Sequence, residues 1–272
     1  MGQAVRLRLF CVSADAGLEA AQAAFAELRR AEALLSRFDD GSALSELNRR
    51  AGGAPWHAPD ELLAVLSMAA HLRASTGGAF DVAVEPLMRV WGFHGARVAA
   101  PLPHEVAEAE SAVRAAVVRI GDRSVHLPAR HTQLDLGGIG VGYGLDRAAA
   151  VLRARGIEAA LLEVSGDVIA LGAPPGSPGW PVDIVGPGSS GPLQTAMLRN
   201  RALATSASRG TVIRLGTVER GHLMDPRDAW SQPAIRQATV VASSGVLADA
   251  LSTAAAVSGR VTAGAEGAWV VA

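Results

Sequence analysis

The stretch Leu134–Leu152, LDLGGIGVGYGLDRAAAVL, places five glycines within eight residues and then continues as an alanine-rich helical pattern. A side chain would fill the space that an approaching group needs, so this density predicts a backbone that passes close to something. An anion held by main-chain N–H groups ahead of a helix meets that description. The run G-x-G-x-G-x-G from Gly138 to Gly144 never satisfies G-x-G-x-x-G, and no acidic residue closes a second strand at the required distance. It also lacks the G-K-[ST] of a Walker site. Val141 stands in the middle of the run, where no lysine is available to meet a phosphate. Taken alone, the stretch is equally a tight strand-to-helix junction.

The rest of the 272 residues narrows the classes. Net charge is −1, and all 25 cationic side chains are arginines spread along the chain, so no basic face advertises nucleic acid or an anionic membrane. The single cysteine, Cys11, excludes an internal disulfide or a cysteine-based zinc site. The first residues, MGQAVRLRLFCVSADAG, carry arginines inside an alternating run and read as a strand rather than a signal peptide. A cytoplasmic location is the expectation, with an exported form open if a longer N-terminus exists. The apolar region around ATVVASSGVLADALSTAAAV is broken by Asp249 and several hydroxyls, which argues against a membrane span.

Periodicity predicts an α+β fold, mixed sheets with flanking helices, without clear βαβ repetition. Residues 4–12 alternate like a strand, 15–35 have helical spacing, 42–48 suit a short capped helix, and Asp60 opens a longer one to about Arg73. Residues 95–103 read as a connector and a possible internal boundary within one unit spanning 1–272. A helix is expected near 104–115, strands at 117–120 and 124–127, and a helix at 143–155. Strands follow at 159–164, 168–172, 181–185, 195–199, 211–215 and 237–242, then a helix near 246–257 and a last strand at 268–272.

Two further patterns carry chemistry. In HLMDPRDAW, His222 lies three residues before Asp225, and Pro226 stiffens the turn that presents both. Imidazole takes a proton near neutral pH and a carboxylate can orient it, although such a pair is also a common loop feature. In ADALSTA, Asp249 and Thr253 are spaced i, i+4, so on a helix their oxygens point to one side, as ligands of a hard cation would; a solvated helix face gives the same spacing.

Seven ordered segments, LSRFDDGSALSELN, TGGAFDVAVEPLMRVWGF, LDLGGIGVGYGLDRAAAVL, EVSGDVIALG, ATSAS, HLMDPR and ADALSTA, together resemble the ApbE-type FAD:protein FMN transferases over nearly the whole chain. The resemblance implies a mixed α/β fold with FAD in a cleft and Mg²⁺ on the pyrophosphate. It implies transfer of FMN from FAD to a Ser or Thr hydroxyl of an acceptor protein, with release of AMP. By the same resemblance Asp249, Thr253 and the Gly140 carbonyl are metal ligands. Ala79, Phe80 and Asp81 form a nucleotide-contact segment, and Asp135, Gly137, Gly138 and Val141 belong to the loop at the pyrophosphate. Ser206 lies near the flavin, and His222 and Asp225 handle the proton. Phe80 or Trp91 could stack on a ring, with a core role expected for Trp91.

The chain also departs from the family's pattern. Gly140-Val141-Gly142 stands where Ala-Lys-Gly is usual, Ser165 replaces the first glycine of Gly-Gly-Asp, Ala207 replaces the glycine after Ser206, and PRDAW replaces Pro-Arg-Thr-Gly. The missing lysine leaves phosphate charge to the metal, helped by Arg147 or Arg209. These changes keep open an alternative, an FAD-binding or FAD-hydrolysing relative in which water replaces the acceptor hydroxyl.

Overall fold

The computed structural model describes residues 4–95, 97–207, 211–229 and 237–271. Its largest element is a six-stranded antiparallel sheet. In spatial order it runs β1 (Val5–Phe10), β4 (Ala159–Val164), β5 (Asp167–Leu171), β8 (Arg201–Ala207), β11 (Gln237–Ala242) and β12 (Gly267–Val271). The inner strands are nearly continuous apolar runs because both faces are covered. Ala160, Leu162 and Val164 of β4 face one cluster with Ile169 and Ala202, while Leu161 faces the opposite one with Val168 and Leu203.

On the first face lie α1 (Ala14–Leu35) and α6 (Gly140–Ala154), with α7 (Gly245–Ser258) alongside. On the second lies the ribbon of β6 (Trp180–Val185) and β7 (Pro192–Leu198), whose Trp180 and Ile184 fill the space against the sheet. A third cluster brings α2 (Ala43–Arg49), α3 (Asp60–Ser75) and the short hairpin β2 (Arg119–Ile120) and β3 (Val125–His126) against the other side of α7. A fourth joins α4 (Glu85–Val90) and α5 (Pro103–Arg114) to the hairpin β9 (Val212–Leu215) and β10 (Val218–Gly221), with Trp91 inside it as a core residue. No helix among the described residues is long and apolar enough to cross a membrane.

Helix α7 is therefore enclosed, and its sequence follows: Ala248, Ala250, Ala254, Ala255 and Ala256 are small enough to be packed on several sides. Ser244 caps its start by accepting from the Leu247 N–H at 3.3 Å, and Gly259 ends it at φ 71°, the left-handed conformation glycine adopts freely.

The glycine stretch differs from its sequence reading. The helix begins at Gly140, not near residue 143, so only Gly137 and Gly138 lie in the preceding turn. Gly142 and Gly144 are helical glycines that permit close packing. A methyl on Gly142 would overlap the Gly245 carbonyl of α7, and one on Gly144 would press on Leu28 and Ala31 of α1. Three elements went unread in sequence: β8, which opens after Asn200 at φ 52°, α4 within the TGGAFDVAVEPLMRV run, and β10.

The glycines can be told apart by stability. Gly142→Ala should destabilise the fold by about 1–3 kcal/mol, the usual effect of overpacking a tight contact. Gly140→Ala, whose β-carbon would rest 3.8 Å from Leu35 Cδ1, should be neutral or up to about 1 kcal/mol stabilising through helix propensity. Denaturant unfolding of both variants checks this, and equal effects would show that the α6–α7 contact is not tight.

Candidate active site

Helix α7 carries the site's polar residues on a buried stripe. Asp249 is 5% exposed and accepts a hydrogen bond from the Gly142 N–H at 3.0 Å, in the first turn of α6. Burial raises its carboxyl from the ordinary 3.8 to about 7, and the Gly142 N–H offsets only part of that. Asp167, at the start of β5, accepts from the Thr205 N–H at 3.2 Å. Its carboxyl is raised well above the usual range, first by burial and then by the charge of Asp249. A buried and a half-buried carboxylate thus lie near each other, and each accepts from a main-chain N–H group.

Hydroxyls complete the stripe. Ser252 Oγ donates to the Asp249 carbonyl at 2.9 Å, Ser206 Oγ lies 2.8 Å from Ser252 Oγ, and Ser206 Oγ lies 3.1 Å from Thr253 Oγ1. Each hydroxyl has one proton. Since the Ser252 proton goes to the Asp249 carbonyl, Ser206 donates to Ser252, and Thr253 donates to Ser206. The lone pairs of Thr253 Oγ1 are then left available to accept. Ser206, on β8, orients Thr253 through this bond.

The turn before α6 closes against this stripe. A β-carbon placed on Gly138 would lie 3.1 Å from Thr253 Oγ1 and 3.4 Å from Phe80 Cε2, so Gly138 is the glycine brought against Thr253. Gly140 faces Leu35 on α1 instead. Phe80, 3% exposed, forms the apolar floor under Gly138, and Ala79 is buried beside it in the same cluster. Asp81 accepts from the Ala83 N–H at 2.9 Å and from Arg73 Nε at 2.5 Å, which fixes the segment's exit. Asp135 caps the turn by accepting from the Gly137 N–H at 2.8 Å.

Val141 packs with the apolar cluster of α1, α6 and the sheet, so its side chain is not among those gathered around Asp249. Arg147 pairs with Glu27 of α1 at 3.2 Å and is likewise turned to another surface. Arg209 lies outside the described residues.

His222 follows β10, half-buried, with its N–H donating to the Thr211 carbonyl at 3.0 Å. Asp225, 3% exposed, accepts from the Arg227 N–H at 3.0 Å, Arg227 Nε at 2.8 Å and Arg227 Nη2 at 2.5 Å. Both carboxylate oxygens are engaged by Arg227, whose stem lies against Gly78 just before Ala79. That contact joins the HLMDPR turn to the Ala79–Asp81 segment.

Sequence reasoning missed three groups. Asp167 was present in the EVSGD segment, but its nearness to Asp249 arises only when β5 lies beside β8. Ser165, at φ 54°, and Gly166, at φ 94°, form the left-handed hairpin turn that presents it. Asp146 accepts from the Gly245 N–H at 2.7 Å and the Val246 N–H at 2.9 Å, and so caps α7 from α6. The third is a buried network around Glu85, which is 1% exposed. Arg37 Nη2 meets it at 2.8 Å and Arg89 Nη2 at 2.7 Å, while His94 lies between Glu85 (3.5 Å) and Asp135 (3.3 Å). Burial opposes the Glu85 charge, yet these partners hold its carboxyl below the ordinary value.

Among the described residues no group of three or more His, Cys, Asp or Glu side chains is arranged to hold a metal ion. The Asp249 site is instead a set of carboxylate, hydroxyl and main-chain oxygens, which suits a hard cation such as Mg²⁺ better than a metal that prefers sulfur or imidazole.

Known proteins share this architecture. The FAD:protein FMN transferase of Treponema pallidum is 29% identical over 278 residues, covering 95% of this chain and 77% of the relative. That of Rhodobacter capsulatus is 31% identical over 219 residues, covering 77% of this chain and 41% of the relative. The crystal structure of the ApbE protein from Thermotoga maritima superposes with a TM-score of 0.85 at 26% identity, over 94% of this chain and 84% of that one. The apo flavinyl transferase ApbE of Pseudomonas stutzeri gives 0.77 at 25% identity, over 94% and 85%. The ApbE family model matches residues 1–266, and the chain belongs to the ApbE family.

Proposed function

We propose that this protein transfers the FMN half of FAD to a Ser or Thr hydroxyl of an acceptor protein in a Mg²⁺-dependent reaction. The hydroxyl oxygen forms a bond to the phosphorus that carries riboflavin, the bond from that phosphorus to the bridging oxygen breaks, AMP leaves, and the hydroxyl proton passes to a base. The names of the similar proteins support flavin transfer. The observation that carries the metal is the pairing of buried Asp249 with half-buried Asp167, with the Thr253 hydroxyl and Gly138 alongside.

In this reading Asp249 and Thr253 hold Mg²⁺, with Asp167 beside them and a main-chain oxygen of the 138–140 segment completing the protein's share. The bound cation supplies positive charge to the phosphoryl oxygens during the displacement. Asp135 and the Gly137–Gly138 turn position the pyrophosphate, with main-chain N–H groups as donors. His222 takes the proton, and Asp225 holds its turn in place through Arg227 rather than acting on the proton itself.

The direct test is incubation with FAD, Mg²⁺ and a Ser/Thr-bearing acceptor, followed by intact-mass analysis of the acceptor and assay of AMP. Labelled acceptor with matching AMP is the expected result; AMP without label would assign the chain to hydrolysis instead. His222→Ala should lower turnover about 10²–10⁴-fold, the contribution of a general base, with FAD affinity little changed. Parallel loss of affinity and rate would make His222 structural.

The metal reading also fixes the sign of a pH effect. Asp249 is raised in the folded state, so stability conferred by its protonated form is full below the unfolded carboxyl value, about 4, and is lost as pH rises toward and through about 7. Thermal unfolding without metal should therefore show falling Tm across that window, and Mg²⁺ should restore Tm above pH 7. Asp249→Asn should reduce the slope, leaving the part that comes from the burial of Asp167, and abolish the Mg²⁺ response. A wild-type protein indifferent to both Mg²⁺ and chelator at pH 8 would refute the assignment.

A further inference from the structure

Beside Asn48 lies a cavity of about 460 Å³ lined by none of the residues assigned above to FAD or the metal. Its lining includes four guanidinium groups, Arg37, Arg49, Arg89 and Arg130, and one carboxylate, Asp40, with Ser45 and Gln133 among the neutral polar groups. Two of the arginines are anchored before any ligand arrives. Arg37 and Arg89 each give part of their fork to the buried Glu85, which is 1% exposed, so their remaining N–H groups are held in place. Arg49 is braced in the same way by the Asp40 carbonyl at 2.8 Å and Glu46 at 2.6 Å. Arg130 packs its stem against Gly52 and is exposed at its far end.

Planar guanidinium forks held at fixed positions match phosphate oxygens pairwise, and their preorganisation reduces what binding must order. The volume falls within the range of small-molecule sites and exceeds what a bare phosphate fills. We propose that this pocket, built from α2, α4, the segment that follows α1 and the 130–133 segment, is a second binding site for a small phosphorylated, hydroxyl-bearing molecule of the sugar-phosphate class. The arginines meet the phosphate, and Ser45 and Gln133 meet the hydroxyls. The site uses none of α7, β8 or β5, and it meets the FAD reading only through Arg37, which lies 3.9 Å from Asp135.

Calorimetric titration of the whole protein with ribose 5-phosphate, inorganic phosphate and ribose tests the proposal. The expected order is ribose 5-phosphate tightest, inorganic phosphate weaker and ribose weakest. Arg130→Gln should weaken ribose 5-phosphate at least tenfold, Arg130→Lys should weaken it less because the charge remains without the fork, and Asp249→Asn should leave it unchanged. Arg49→Gln provides the same reading if Arg130→Gln does not fold. No wild-type binding at millimolar ribose 5-phosphate, or binding unaltered in both glutamine variants, would overturn the proposal. So would loss of binding in Asp249→Asn or displacement of ribose 5-phosphate by FAD, because either would make the anion a ligand of the Asp249 site.

Discussion

The contact on which the site depends is the meeting of α6 and α7 at Gly142 and Gly245. With no side chain on either residue the two backbones touch, and each helix places a carboxylate at the other's N-terminus: Asp249 of α7 on the Gly142 N–H, and Asp146 of α6 on the Gly245 and Val246 N–H groups. The exchange satisfies donors that helix starts leave unpaired and sets negative charge against the positive ends of both dipoles. It also buries Asp249 and half-buries Asp146, and the desolvation raises both carboxyls. Asp146 has two N–H partners, whereas Asp249 has one and sits near Asp167. The residual imbalance is concentrated at Asp249, where a cation would have the greatest electrostatic effect.

That arrangement explains which parts of the site were legible in sequence. Asp249 and Thr253 lie four residues apart on one helix, so local periodicity alone puts their oxygens on one side. The glycines were harder. Close approach to an anion and close approach to another backbone demand the same missing β-carbon, and sequence cannot say which partner is present. The structure divides them: Gly137 and Gly138 form the turn against Thr253 and Phe80, while Gly142 and Gly144 pack α6 against α7 and α1. Val141, between packing glycines, points into an apolar cluster, which accounts for an aliphatic side chain there.

Other residues depend on long-range pairing and leave no local trace. Strand β8 has only the short run RALATSA, whose small residues suit either a strand or a turn, yet it lies between β5 and β11 and supplies both the Thr205 N–H to Asp167 and the Ser206 hydroxyl to Thr253. The helices and inner strands were readable because period and burial agree along each one. The hydroxyl chain was not, because it joins α7 to β8 across 46 and 47 positions of sequence.

The turn at 135–138 lies between two regions of opposite electrostatic character. On one side are the buried carboxyl of Asp249 and the half-buried carboxyl of Asp167, with the hydroxyl chain. On the other, Asp135 reaches His94 at 3.3 Å and lies 3.9 Å from Arg37, the residue that anchors Glu85 and lines the arginine-rich cavity. Asp135 is thus restrained by cationic or N–H-bearing groups behind it while it orders the Gly137 N–H in front. A loop of small residues has little packing of its own to define its shape, so its geometry must come from such flanking bonds. The Arg37–Glu85–His94 network is therefore more than a buried charge cluster. Through Asp135 it fixes where the glycine turn stands relative to Thr253, and the precision of the site on α7 depends on a network built from α4 and the segment that follows α1.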